Sequence, residues 1–232
     1  MLYKRAFCTF AAILFLSLSS LSARDTATFV DLGFSSDGRI FMFAQYGVQA
    51  GTLRPWADLF IVDVPQNNFV SGGRISYIHD RPVVFGQNGS GAFHSVLVRN
   101  AALVERHRIN HSSQGRLLFI ALDNPASGGA ENPVEFRDFE TGAFYRAVLV
   151  QTIEGSGPSL RSSFYINLER TAPNGSRSSH VVGTPQLRRP LIASYRIRQA
   201  RVYGDSIIFV IEMRRQEGES IAIRYMVEAL RL

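Results

Sequence analysis

A mainly β fold, built from antiparallel meanders in a sandwich or partial-propeller-like arrangement with one amphipathic helix, is what this 232-residue sequence predicts. Three observations carry it. Runs rich in Ile, Val, Phe and Tyr recur along the chain, split by Gly, Pro, Asn and Asp, which is the signature of strands and turns. The two ends of the chain each read as three strands closed by an Asp/Gly turn, a strong hairpin signal. A single stretch, 92–107, switches to helical spacing.

Taken in order, strands are expected at 28–33, 39–45, 57–64, 117–122, 134–139, 144–154, 162–170, 192–202, 206–213 and 220–228. The first meander turns at Ser36, Asp37 and Gly38, and the last at Tyr203, Gly204 and Asp205. Residues 207–211 are apolar at every position, so that strand should be covered on both faces. In 220–228, Ile221, Ile223, Tyr225 and Val227 share one face, with Arg224 and Glu228 on an exposed one. The helix over 92–107 places Phe93, Leu97, Ala101 and Val104 on one side, with Ser90 as its N-cap. Loops are expected at 124–133 and 173–185.

Lys4 and Arg5, the uncharged run 6–21 and the small residues ending at Ala23 have the order of a secretory leader. Residues 1–23 are therefore expected to be cleaved, leaving 24–232 as one exported domain, periplasmic or secreted. The run is short of the roughly 20 apolar residues that span a bilayer, so the mature form should be soluble rather than membrane-spanning. The one cysteine, Cys8, lies in the leader, so the mature chain is expected to have neither a disulfide nor a thiolate ligand. Lys4 is the only lysine; removing it and Arg5 from 25 basic residues leaves 23 arginines against 19 acids, or +4. No long basic run is present, which argues against nucleic acid as a partner and leaves an envelope component or another envelope protein.

The segment GFSSDGRIFMFAQYGVQ followed by PWADLFIVDV resembles a family of predicted secreted bacterial proteins, domain of unknown function 2259. The matching positions include Gly33, Asp37, Gly38, Tyr46, Gly47, Gly51, Pro55 and Asp63, and the likeness is most specific over 31–64. The resemblance implies export and brings no activity with it. It also implies an acid before the glycine of the 47–57 loop and an aromatic after its proline; here Ala50 takes the first place and Trp56 the second. The same stretch is similar to one blade of a TolB-like or WD-like propeller.

Candidate chemistry is sparse. Tyr46 and Trp56 bracket the loop and are the leading binding candidates, since aromatics give contact area at small entropy cost. Arg196 and Arg198, two apart on one strand, form a second candidate, a row of guanidinium forks for an anionic polymer or lipid headgroup, set against cross-strand pairing with Glu212 and Glu228. His107 and His111 have the i, i+4 spacing of a zinc pair, but the general-base glutamate of the HExxH pattern is missing. The glycine-rich turn 85–91 could cradle an anion but fits neither the dinucleotide nor the phosphate-loop spacing. Glu135 and Asp138 form a carboxylate pair on an edge. No catalytic residue, metal or cofactor is assigned. The expectation is a non-enzymatic binding or interaction module, with an envelope hydrolase or an arginine-rich polyanion binder as the alternatives.

Overall fold

The structure, a computed structural model, describes residues 25–122, 133–218 and 220–232. The leader 1–23 and nearly all of the expected loop 124–133 lie outside the described residues. The chain runs β1 (Thr28–Ser35), β2 (Ile40–Val48), β3 (Pro55–Asp63), β4 (Asn68–Ile78), α1 (Ser90–Arg99), α2 (Ala101–Arg106), β5 (Ile109–Asn110), β6 (Arg116–Ile120), β7 (Val134–Arg137), β8 (Phe144–Glu154), β9 (Arg161–Thr171), β10 (Arg177–Val182), β11 (Arg189–Pro190), β12 (Ile192–Tyr203), β13 (Ser206–Glu217) and β14 (Ser220–Arg231). All paired strands are antiparallel and form three sheets: β4-β3-β2-β1-β5, β14-β13-β12-β6, and β10-β9-β8-β7 with β11 beside β9.

The sheets stack as layers. Phe34, Phe41, Phe43 and Val62 of the first sheet pack against Ile208, Val210, Val227 and Ala229 of the central sheet. On the other side of the central sheet, Ile207, Phe209 and Ile211 meet Tyr145, Phe164, Ile166 and Leu168 of the third. The alternation of side chains along β13 thus feeds two cores, which is why every position of 207–211 is apolar and buried. The outer face of the first sheet, with Met42, Ala44, Leu59 and Ile61, is covered by Ala92, Phe93 and Val96 of α1. Among the described residues the arrangement is a stack of sandwiches, with no closed barrel.

Both terminal meanders form as expected. At the first turn Asp37 Oδ1 accepts from Ser35 Oγ (2.7 Å) and Arg39 N (3.1 Å), and Gly38 has φ +70°. Four readings need correction. The helix is two helices, broken at Asn100 (φ −115°, ψ 21°), whose side-chain amide donates to Val96 O at 2.7 Å and competes with the backbone there. Its N-cap is Gly89, not Ser90. The loop 173–185 holds β10, a short polar edge strand paired with β9. Strand β4 was unassigned because Gly72 and Gly73 interrupt its pattern; they sit at the register shift opposite β3, where a Cβ on Gly73 would lie 2.8 Å from Ile61 O.

A further bulge lies in β1 between Asp31 and Gly33. Gly33 has φ +97°, its N–H donates to Asp31 Oδ1 (2.8 Å), and a Cβ there would stand 2.2 Å from Asn110 O. Only glycine allows the β5 backbone to come this close.

Candidate functional site

The expected 47–57 loop is much shorter in the structure, because β2 continues to Val48 and β3 begins at Pro55. Gly47 pairs with Trp56 and Tyr46 with Ala57. Adjacent rungs face opposite ways, so Tyr46 and Trp56 are not brought together. Tyr46 stacks on Phe93 of α1, ring centroids 5.6 Å apart. Trp56 is 5% exposed; its indole N–H reaches Asp25 Oδ1 (3.3 Å), and the Arg224 guanidinium lies 4.3 Å over its ring. Gly47 makes room beneath it, since a Cβ there would be 3.1 Å from the indole. Trp56 is thus packed into the fold, its indole held between Asp25 and Arg224.

A bulge between Ile197 and Gln199 separates Arg196 from Arg198 and changes the phase of β12. Arg196 stands opposite Glu212, and its Nη2 donates to Leu122 O at 2.7 Å. The other arginines are widely paired with acids: Arg201 with Asp31 (3.4 Å), Arg224 with Asp25 (2.6 Å), Arg116 with Asp138 (2.7 Å), Arg214 with Glu212 (3.7 Å), and Arg188 with Glu154. Asp138, read as one of an edge pair with Glu135, is buried and also accepts from Thr141 Oγ1 at 2.8 Å. His107 caps α2, while His111 lies beyond β5 with Nδ1 2.7 Å from Leu32 O, so the two do not share a helix face. Among the described residues no group of three or more His, Cys, Asp or Glu is placed to hold a metal ion.

Three concave features stand out. One, about 570 Å³, lies on the third sheet and is lined by Phe144, Arg146, Glu169, Arg170 and Arg177 among others, with Arg146 paired to Glu169 at 3.8 Å. A second, about 580 Å³, is an open dish lined by His79, Arg81, Asn88, Ser90 and Ser95. The turn 85–91 forms its rim, and Asn88 Oδ1 there accepts from Ser90 N (3.0 Å) and Ser90 Oγ (2.6 Å).

The third, about 310 Å³, lies where the three sheets converge, lined by Asn67, Phe69, Leu187, Arg189, Met226 and Glu228 among others. Asn67 sits in the β3–β4 turn with φ +47°, a region asparagine tolerates. Its amide bridges the first and central sheets: Nδ2 donates to Glu228 Oε2 (2.5 Å) and Oδ1 accepts from Ala229 N (2.7 Å). Arg189 Nη2 donates to Glu228 Oε1 at 3.3 Å, and its guanidinium lies 5.0 Å from the Phe164 ring centroid. Gly183, with φ +101°, leaves room for the same carboxyl, since a Cβ there would be 3.4 Å from Glu228 Cδ. Glu228 is 4% exposed, not on the open face expected of it, because the third sheet and the β10–β11 connection cover that side of β14. Burial pushes its carboxyl above the usual range, against the opposing pull of Asn67 and Arg189. A cleft with a desolvated, charge-partnered acid at its floor is where binding chemistry concentrates. The sequence names Glu228 only as a pairing partner for arginine, a role Arg189 fills, and gives no sign of Asn67 or of the cleft; the Asn67-Asn68 pair between apolar runs is the one available turn signal.

The model of a family described as predicted secreted protein (DUF2259) matches residues 42–231. The chain belongs to this family. The match covers far more of this DUF2259 protein than the 31–64 segment on which the resemblance was most specific, and includes every cleft residue named above. The match does not bear on the likeness to a TolB-like or WD-like blade. No curated protein and no solved structure matches the chain. Family membership supports secretion, and among the described residues no helix is long and apolar enough to cross a membrane.

Proposed function

We propose that this protein is an exported, non-enzymatic binding module of the bacterial envelope, and that the cleft at Glu228 takes the end of a neutral saccharide. Its leader is removed after Ala23 and it acts in the periplasm. One observation carries the binding reading: a nearly fully buried carboxylate on the floor of a cleft of about 310 Å³, held between an amide and a guanidinium. That volume is at the lower end of the roughly 300–1,000 Å³ of small-molecule sites. A saccharide hydroxyl would share the Glu228 carboxyl with Asn67 and Arg189, Gln66 and Asn68 would donate to ring and hydroxyl oxygens, and Phe69, with Arg74 5.3 Å from its ring centroid, would offer the sugar its remaining apolar surface.

Glu228 is the single carboxylate among the cleft-lining residues. Glycoside hydrolysis ordinarily needs two, flanking the bond, which favours binding over hydrolysis. The pairing of so many arginines with acids likewise speaks against an arginine-rich polyanion surface.

Titration calorimetry with chitobiose and cellobiose tests this, using the exported protein, Glu228→Gln and Asn67→Ala, with thermal melts to verify folding. One disaccharide should bind the parent protein, and a folded variant should lose about tenfold or more, the usual consequence of unpairing a buried polar site. Binding of neither sugar, or equal binding by both folded variants, would refute the assignment. Intact mass of the periplasmic protein should place its first residue at Arg24; a retained leader would contradict the export scheme.

A further inference from the structure

One end of the first sheet carries four exposed apolar side chains. Phe85 is fully exposed, Val84 is 65% exposed, and Leu53 and Ile78 about half as much as they could be. Hydrogen bonds hold their segments side by side: Val83 N to Leu53 O (2.8 Å), His79 N to Pro55 O (2.8 Å) and Arg54 Nε to His79 O (2.9 Å). Arg54 is offset by Asp80 at 3.5 Å, which leaves Arg81 as the net positive charge, at the wall of the polar dish next to Val83.

The chain's N-terminal segment reaches the same end. Ile78 pairs in register with Trp56, and Trp56 hydrogen-bonds Asp25, the first described residue.

We infer that this tip docks on an anionic lipid surface, with Val84 and Phe85 entering the headgroup boundary and Arg81 beside a lipid phosphate. Exposed apolar side chains next to a cation match the two attractions that hold a peripheral protein on a membrane, apolar burial and attraction to anionic lipid. The four side chains together expose well under the roughly 800 Å² per partner of a stable protein interface, so a lipid surface fits better than a second copy. The inference is independent of the saccharide cleft, which lies at the convergence of the three sheets.

Vesicle co-sedimentation of the exported protein tests it, with vesicles of phosphatidylcholine and phosphatidylglycerol in equal parts and of phosphatidylcholine alone. The protein should partition onto the mixed vesicles and much less onto phosphatidylcholine. The double substitution Val84→Ser with Phe85→Ser should reduce partitioning about tenfold or more, given the area withdrawn. Arg81→Glu should reduce it on mixed vesicles, and Val181→Ser, an exposed apolar position on β10, should leave it unchanged. These tip positions are exposed, so melts should be unaltered. No partitioning by the parent protein, equal partitioning by the double variant, or a dimer in sedimentation velocity that the double variant abolishes would each overturn the inference.

Discussion

Replacing Asp31 by asparagine should flatten part of the pH dependence of stability. Asp31 sits at the β1 bulge with its side chain 8% exposed, 3.4 Å from Arg201 Nε on β12. Its Oδ1 accepts from Gly33 N, but its Oδ2 has no hydrogen-bond partner among the described residues. Burial raises its pKa from 3.8 to about 6, against the opposing effects of Arg201 and the Gly33 N–H. A folded-state value above the unfolded one means that the native protein holds the proton more tightly. The contribution is fully present below pH 3.8 and is lost as pH rises through about 6. Two pK units correspond to about 3 kcal/mol, of which about 2 kcal/mol falls between pH 4.5 and 7.5. Asparagine imitates the protonated acid. Urea unfolding of the parent and Asp31→Asn proteins at both pH values should therefore show the variant gaining about 2 kcal/mol relative to the parent on going to the higher pH. Parallel pH profiles, or a variant that loses ground as pH rises, would refute this account of the buried carboxyl.

Other substitutions probe the packing. Trp56→Ala should cost about 3–5 kcal/mol in denaturant unfolding, as for a large core aromatic; a loss near zero would return Trp56 to the role of a ligand contact. Gly33→Ala should lower the melting temperature by roughly 4 °C or more, since it forces a strained φ at a cost of about 1–3 kcal/mol and pushes a Cβ into Asn110 O; an unchanged melt would show that the β1–β5 contact is dispensable. Glu228→Ala should destabilise by about 3–5 kcal/mol through the unpaired Arg189, with Glu228→Gln milder because it retains an acceptor for Asn67; equal losses would point to packing alone.

The elements legible in the sequence were those where local and tertiary preferences agree. The uninterrupted apolar run 207–211 could only be a strand covered twice, and it lies between two cores. The Asp37-Gly38 and Gly204-Asp205 turns supply their own backbone chemistry. Strand β4 was hidden because its pairing, bulge and two glycines make sense only against β3. Glu228 looked solvated because alternation within one strand assigns faces but not what covers them; the third sheet covers that side. Trp56 was read as a loop residue because nothing local to Gly47 says that its missing side chain accommodates an indole. The cleft was invisible for the same reason: Asn67 and Glu228 are 161 residues apart and meet only in the folded chain.

The most direct test of the central claim is to follow backbone amide chemical shifts of the labelled protein while chitobiose or cellobiose is added. The shifts should concentrate at Gln66 to Phe69, Thr184 to Arg189 and Met226 to Glu228, and disappear in Glu228→Gln. Shifts confined to His79, Arg81, Asn88 and Ser90, or no shifts with either sugar, would contradict it.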